Sequence, residues 1–113
     1  MKLEKLIMRV FEVRSKPGKS AALKEKLAAT SVAVVADKPG NMGYFFGSDM
    51  SSDGNDLVFV SVWNSMEAVK AHFGSGWKLS FLPPGYEALI ERCSVRHIEI
   101  DGRLSAAIER ALL

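Results

Sequence analysis

The sequence predicts one α+β domain of the ferredoxin-like plan, with two helices on one face of a four-stranded antiparallel sheet. Strand and helix patterns alternate along the chain in the order β-α-β-β-α-β. Turn residues separate these segments, and no linker or low-complexity run divides the 113 residues, a length that suits one domain. We assign residues 1–113 to this domain, with a core at about 5–100 and a helical C-terminal tail at 101–113.

The first half of the domain begins with a predicted strand at residues 6–13, whose two faces are both largely apolar. Arg9 interrupts one face and Glu12 the other. A Lys-Pro-Gly-Lys turn at residues 16–19 precedes a helix predicted at residues 20–36. The helical stripe that we expect to face the sheet consists of Leu23, Leu27, Ser31 and Val34.

The second half of the domain begins with two strands, predicted at residues 42–49 and 57–63. A connection rich in turn residues, at residues 51–55, predicts that these strands form a hairpin. Ser65 is placed to cap a second helix. The buried stripe of that helix is predicted to consist of Met66, Val69 and Phe73.

Residues 74–91, between the second helix and the last strand, follow no clear period. This segment is predicted to act either as a lid over a pocket or as an arm that contacts a second subunit. Within and beyond it, we predict a short helical piece at 86–91, a last strand at 93–100 and a terminal helix at 104–113.

Composition and charge exclude several classes of function. The net charge is +2, and Glu residues interrupt the basic residues of the N-terminal part, so nucleic-acid binding is not predicted. The single cysteine, Cys93, cannot form an internal disulfide, and no apolar run is long enough to span a bilayer. We therefore expect a cytoplasmic protein with neither a membrane nor a nucleic-acid partner.

The sheet face that the helices leave bare predicts a homodimer. The first and third strands are apolar on both sides, so one apolar face would remain in water in a single chain. Packing of two identical sheets face to face around a two-fold axis would cover it.

The chain resembles the antibiotic biosynthesis monooxygenase-like family of dimeric α/β barrels over about residues 5–100. The resemblance rests on the turn at residues 16–19, on the Pro-Gly pair at 39–40, and on the run Trp-x-Ser-x-Glu-Ala-x-x-x-His from Trp63 to His72. It implies a dimeric barrel, and for the monooxygenase members it implies oxidation of phenol-, anthrone- or quinol-like molecules by dioxygen without a cofactor.

The family also has haem-degrading members, which use an Asn on the first strand and a Trp and a His around the second helix. By this resemblance, Phe11 stands at the Asn position and His72 at the Trp position, and the axial His position falls near residues 81–82, which are Phe and Leu. These departures predict that no haem is bound. A single His at position 72 makes a poor metal site, so no metal is predicted either.

The resemblance also suggests roles for individual residues. His72 would be the general base, and Trp63 and Arg9 would bind the substrate. The other substrate-contacting candidates are Phe11, Tyr44 and Trp77. Structural roles compete with each assignment: Trp63 and His72 as packing residues, and Arg9 as the partner of Glu12 or another carboxylate in an ion pair.

Three functions remain open from the sequence. The first is a cofactor-free monooxygenase acting on a small hydrophobic aromatic molecule. The second is a non-catalytic dimer that binds a small molecule or serves a structural purpose, and the third is a cofactor-free isomerase or decarboxylase. If the protein is the proposed enzyme, we expect a closed pocket that reaches both Trp63 and His72. Its volume should be a few hundred Å³, on the order of known ligand sites.

Overall fold

The computed structural model describes residues 6–80, 82 and 84–100. These residues form a four-stranded antiparallel sheet with strand order β2-β3-β1-β4, which confirms the predicted fold class. The strands are β1 (Ile7–Ser15), β2 (Asn41–Ser48), β3 (Asp56–Trp63) and β4 (Ile90–Glu99). The predicted tail helix at 101–113 lies outside the described residues.

Helix α1 connects β1 to β2 and contains one π-helical turn. It consists of α-helix at Ser20–Lys26, π-helix at Leu27–Ser31 and α-helix again at Val32–Val35. The carbonyl of Lys26 accepts hydrogen bonds from the hydroxyls of Thr30 (2.7 Å) and Tyr86 (3.1 Å). These bonds give the carbonyl partners at the point where the π-helical turn interrupts the regular α-helical hydrogen bonds.

Helix α2, Met66–Phe73, follows β3 directly and has well-defined ends. The Ser65 hydroxyl caps it by accepting a hydrogen bond from the Ala68 N–H at 3.1 Å, as predicted. Gly40 makes a close approach to this helix possible, because a Cβ at Gly40 would clash with the Ala68 Cβ and the Gly40 φ is +87°.

The main core lies between the two helices and one face of the sheet. Alternating residues of β1 and β3 point into it, and they are opposed by residues of both helices and by Tyr86. The fully buried side chains of this layer include Leu23, Leu27, Leu57, Trp63, Val69 and Tyr86.

The prediction of a short helical piece at residues 86–91 is wrong. The N–H groups of Leu89 and Ile90 both bond the Tyr86 carbonyl, which makes a single turn, and β4 then begins at Ile90. Pairing with β1 extends this strand beyond the predicted start, because Ser15 pairs with Ile90 after a register shift. Hydrogen bonding across the sheet thus outweighs the local helical preference.

Among the described residues, no helix has the length and apolarity needed to cross a membrane.

Candidate functional site

One row of polar residues crosses the sheet beneath the helices. In the strand register, Tyr44 of β2 lies opposite Ser61 of β3, Ser61 lies opposite Arg9 of β1, and Arg9 lies opposite His97 of β4. We call these four residues the polar row. They share the sheet face that carries the core, because side chains directly opposite each other in a sheet project to the same side.

Aromatic side chains form the neighbouring row of the same sheet face. Phe46, Phe59 and Phe11 are successive partners across β2, β3 and β1. The ring of Phe59 lies 6.5 Å from that of Phe46, and it stacks on Tyr44 of the polar row at 6.1 Å with an interplanar angle of 8°. The polar row is therefore bordered on one side by a row of aromatic side chains.

Arg9 is the central charge of the site and is only 5% exposed. Its guanidinium donates to the carbonyls of Trp77 (2.7 Å) and Leu79 (3.1 Å), and Nη1 also lies 3.0 Å from Nε2 of His97. The guanidinium carbon lies 3.7 Å from the centre of the Phe73 ring, a cation–π contact. Arg9 does not form the ion pair with Glu12 that the sequence left as an alternative. Glu12 instead pairs with Arg96 at 2.8 Å.

Burial lowers the pKa of Arg9 to about 10, so this residue remains cationic at neutral pH. Burial and the adjacent Arg9 charge lower the pKa of His97, in that order of importance. A neutral His97 accepts the Arg9 N–H at Nε2 and carries its own hydrogen on Nδ1. The pair thus consists of one cation and one neutral acceptor.

This pair predicts a loss of stability in mild acid. Because the folded-state pKa of His97 lies below the ordinary value of 6.5, the unfolded chain binds the proton first. The free energy of unfolding should therefore fall as the pH drops from about 6.5 through the lowered pKa. Urea unfolding between pH 7.5 and 5 measures it, and H97Q, which keeps an acceptor but does not titrate, should show a shallower decline. Equal slopes for the two proteins would contradict this assignment.

Ser61 and Trp63 form a second buried pair beside Arg9. The Trp63 indole N–H donates to the Ser61 hydroxyl oxygen at 2.9 Å. Trp63 is 0% exposed and Ser61 is 2% exposed. Trp63 therefore lies within the core, and its only polar hydrogen is directed at a neighbouring side chain of the same strand.

An inner cavity of about 40 Å³ lies between this part of the sheet and helix α1. A space of this size holds a few water molecules at most. Its lining is mainly apolar, with Arg9, Ser31 and Ser61 as the polar members; the remaining lining residues are Phe11, Val34, Val35, Phe59 and Phe73.

His72 lies on a separate outer groove of about 670 Å³. Its Nε2 lies 2.7 Å from the carbonyl oxygen of Val34, so Nε2 carries the hydrogen and Nδ1 is the basic atom of the neutral ring. The imidazole also stacks on Trp63, with ring centres 5.3 Å apart. The other groove-lining residues are Ala33, Val34, Lys38, Phe73, Gly76, Leu79 and Ser80.

The pocket thus differs from the one expected from the sequence. Trp63 lines neither the inner cavity nor the outer groove, and the groove rather than a closed pocket reaches His72. The two spaces adjoin, however, because Val34 and Phe73 line both. Phe73 stands between the groove and the Arg9 guanidinium.

The remaining candidates lie at the edges of this site. Phe11 lines the inner cavity, and Tyr44 lies on the edge strand β2, where it is 40% exposed. The carbonyl of Trp77 accepts a hydrogen bond from Arg9. The Trp77 ring makes an edge contact with the His97 ring, with ring centres 5.2 Å apart. The start of segment 74–91 therefore covers the end of the polar row formed by Arg9 and His97.

Four residues that line these spaces were not among the candidates predicted from the sequence: Ser31, Lys38, Phe59 and Ser61. Ser61 and Ser31 could have been recognised from the sequence. Ser61 is the single small polar residue on the face of β3 that also carries Leu57, Phe59 and Trp63, and Ser31 is the polar member of the helical stripe predicted to face the sheet. The position of Lys38 depends on how the chain continues after α1, which the sequence pattern does not specify.

A charged cleft of about 260 Å³ lies at the other end of the sheet, lined in part by Arg14 and Asp56. Arg14 forms ion pairs with Asp53 (2.7 Å), Asp56 (3.0 Å) and Glu91 (3.3 Å). These contacts tie the β2–β3 hairpin and β4 to β1, so we assign the cleft a structural role. The described residues contain no group of three or more His, Cys, Asp or Glu side chains arranged to hold a metal ion.

Residues 6–91 match the sequence profile of the family described as Antibiotic biosynthesis monooxygenase. The chain belongs to this family. No curated protein matches the chain.

Solved structures of the same fold are similar to this member of the family at low sequence identity. PA3566 from Pseudomonas aeruginosa is 20% identical, with a TM-score of 0.67 over 89% of this chain and 99% of its own. SnoaB from Streptomyces nogalater, a cofactor-independent oxygenase, is 19% identical, with a TM-score of 0.63 over 88% of this chain and 97% of its own. SO0527 from Shewanella oneidensis is 20% identical, with a TM-score of 0.66 over 86% of this chain and 92% of its own. At these identities the likeness establishes the fold.

Proposed function

We propose that this protein is a cofactor-independent monooxygenase that oxidises a small hydrophobic aromatic molecule of the phenol, anthrone or quinol type. The observation that carries the proposal is the pair of adjoining spaces, one with the buried cation Arg9 and one with His72. Family membership and the likeness to SnoaB support the same class of reaction. The outer groove has the volume of ordinary ligand pockets, which run from about 300 to 1,000 Å³.

In this proposal the substrate supplies the electrons and the protein supplies the base and the electrostatic environment. With an anthrone, Nδ1 of His72 removes one proton from the CH₂ group, and the carbanion gives one electron to dioxygen. The two radicals join to form a C–O bond, and the peroxide takes up the proton. Loss of the second C–H proton then breaks the O–O bond and yields a carbonyl and water.

The buried charge of Arg9 would stabilise the anion on which this sequence depends. A fixed cation in an apolar, largely dry site stabilises a developing negative charge far more than the same cation in water. Phe11, Phe59 and Phe73 provide flat apolar surfaces beside it.

Oxygen uptake with a panel of anthrone, 1-naphthol and hydroquinone tests the proposal. The expected result is one dioxygen consumed per molecule oxidised, at a rate clearly above that without protein and with no added cofactor. Uptake equal to the protein-free rate for the whole panel would overturn it.

One observation favours the non-catalytic alternative. At about 40 Å³ the inner cavity is smaller than any aromatic ring, so a substrate edge can reach Arg9 only if Phe73 turns aside. Tight binding of panel members without oxygen uptake would favour this alternative.

We also propose that the functional unit is a homodimer formed through the sheet face opposite the helices. Phe45 is 51% exposed on this face, and Met8, Val58 and Val60 are only partly buried there. The sedimentation mass at micromolar concentration should equal two chains. V60K, at the centre of the face, should give the mass of one chain, whereas K24Q on the helical side should not. A one-chain mass for the unmodified protein would contradict the dimer.

A further inference from the structure

The polar row has hydrogen-bond donors that the fold itself does not use. Among the described residues, Arg9 donates only through Nη1 and one hydrogen of Nη2, which leaves Nε and the second Nη2 hydrogen without a partner. Arg9 lines the inner cavity and is almost fully buried. These hydrogens of a charged group are available to a ligand oxygen in the cavity, and a hydrogen bond from a charged donor is stronger than one between neutral groups.

Ser61 provides a second donor directly beside the first. Its oxygen accepts the Trp63 indole N–H at 2.9 Å, and the structure gives its own hydroxyl hydrogen no acceptor among the described residues. Ser61 and Arg9 are cross-strand partners on one sheet face, and both line the inner cavity. Because Trp63 occupies a lone pair of the Ser61 oxygen, it restricts the directions in which the hydroxyl hydrogen can point.

We infer that Ser61 and Arg9 together recognise two neighbouring oxygens on one edge of the substrate ring, a hydroxyl beside a ketone. Trp63 acts in this recognition as a positioning residue through Ser61. The inference rests on the proposed function and narrows its substrate class to ortho- or peri-hydroxy aromatic ketones.

The two donors and the aromatic surface fit this class in three ways. Two adjacent donors match two adjacent acceptors, whereas a single phenol would leave one donor unused. The cation stabilises the negative charge that a deprotonated hydroxy-ketone spreads over both oxygens. The rings of Phe11 and Phe59 lie in the next row of the sheet, where they would contact the ring that carries these oxygens.

The position of the cavity allows the rest of the substrate to remain in the groove. Val34 and Phe73 line both spaces, so a ring in the outer groove can direct one edge inward once Phe73 turns aside. The same placement brings the ring close to His72, which lines the groove.

Calorimetric binding of two isomers tests the inference without requiring turnover. The probes are 8-hydroxy-1-tetralone, whose hydroxyl lies beside the ketone, and 6-hydroxy-1-tetralone, whose hydroxyl lies across the ring system. The intact protein should bind the 8-hydroxy isomer about tenfold more tightly, since one further hydrogen bond to such a site is worth about that factor.

Three variants assign this preference to individual groups. S61A should abolish the tenfold preference, and W63F, which keeps an aromatic ring but lacks the N–H, should reduce it. S15A is the matched control, because Ser15 is also buried on this face of β1 but bonds Asn55 away from the cavity. It should keep the full preference. If S61A does not fold, S61C, whose thiol is a poorer donor, should reduce the preference instead.

The outcomes separate this inference from the proposed function. Equal binding of the two isomers by the intact protein, or a preference that survives in the folded Ser61 variant, would overturn the recognition by Ser61 and Arg9 even if oxygen is consumed. A tenfold preference that S61A abolishes would support the recognition even if no panel member is oxidised.

Discussion

Replacement of His72 by Gln should lower the rate of substrate oxidation by about 10²- to 10⁴-fold, the usual contribution of a positioned general base. The Gln side chain can still donate a hydrogen bond to the Val34 carbonyl, which His72 contacts at 2.7 Å. It has no basic nitrogen to replace Nδ1. The change therefore removes the proton acceptor and keeps the contact that joins α2 to α1.

Initial rates of oxygen uptake at saturating substrate measure this effect, and thermal unfolding checks that stability is kept. A71Q places the same side chain on an exposed position of the same helix and should leave the rate within about twofold. H72A should lose the rate and some stability, because the Val34 carbonyl loses its donor. An unchanged rate in H72Q would show that another group takes the proton.

Replacement of Trp63 by Ala should lower the free energy of unfolding by about 3–5 kcal/mol, the range measured for large aromatic residues in protein cores. Trp63 is 0% exposed, and its ring contacts both His72 and Phe73. Removal of the indole leaves a cavity beneath α2 and frees the imidazole that stacks on it. Urea unfolding monitored by circular dichroism measures the loss.

W63F is the matched variant for this prediction. It retains a ring in the core and should lose clearly less stability than W63A, with the remaining loss due to the smaller volume and to the missing bond to Ser61. A loss under about 1 kcal/mol for W63A would contradict the position of Trp63 in the core.

The sequence predicted the order of elements and the face of each strand well, because period-two alternation and turn residues are local signals. Ser65 as the cap of α2 and Gly74 at its end follow from such signals. The conformation of residues 86–91 could not be predicted from local sequence, because Ile90 is held in a strand by its pairing with Ser15, which is distant in the chain.

The site was predictable only in part. Arg9 stood out because it interrupts an apolar face of the first strand, and His72 because it ends the motif on which the family resemblance rests. The pairing register that places Ser61 beside Arg9 cannot be predicted from the sequence of either strand alone. A shift of one residue in this register would turn Ser61 to the opposite face of the sheet. The separation of groove and inner cavity by Phe73 depends on side-chain packing, which no periodicity specifies.

The fate of the two oxygen atoms tests the central proposal most directly. Anthrone should be incubated with the protein under ¹⁸O₂ in ordinary water, and the product analysed by mass spectrometry against a sample without protein. The proposed monooxygenase predicts that protein-dependent product carries one ¹⁸O atom in its new carbonyl group. Product formed without ¹⁸O, or no product beyond the protein-free amount, would contradict it.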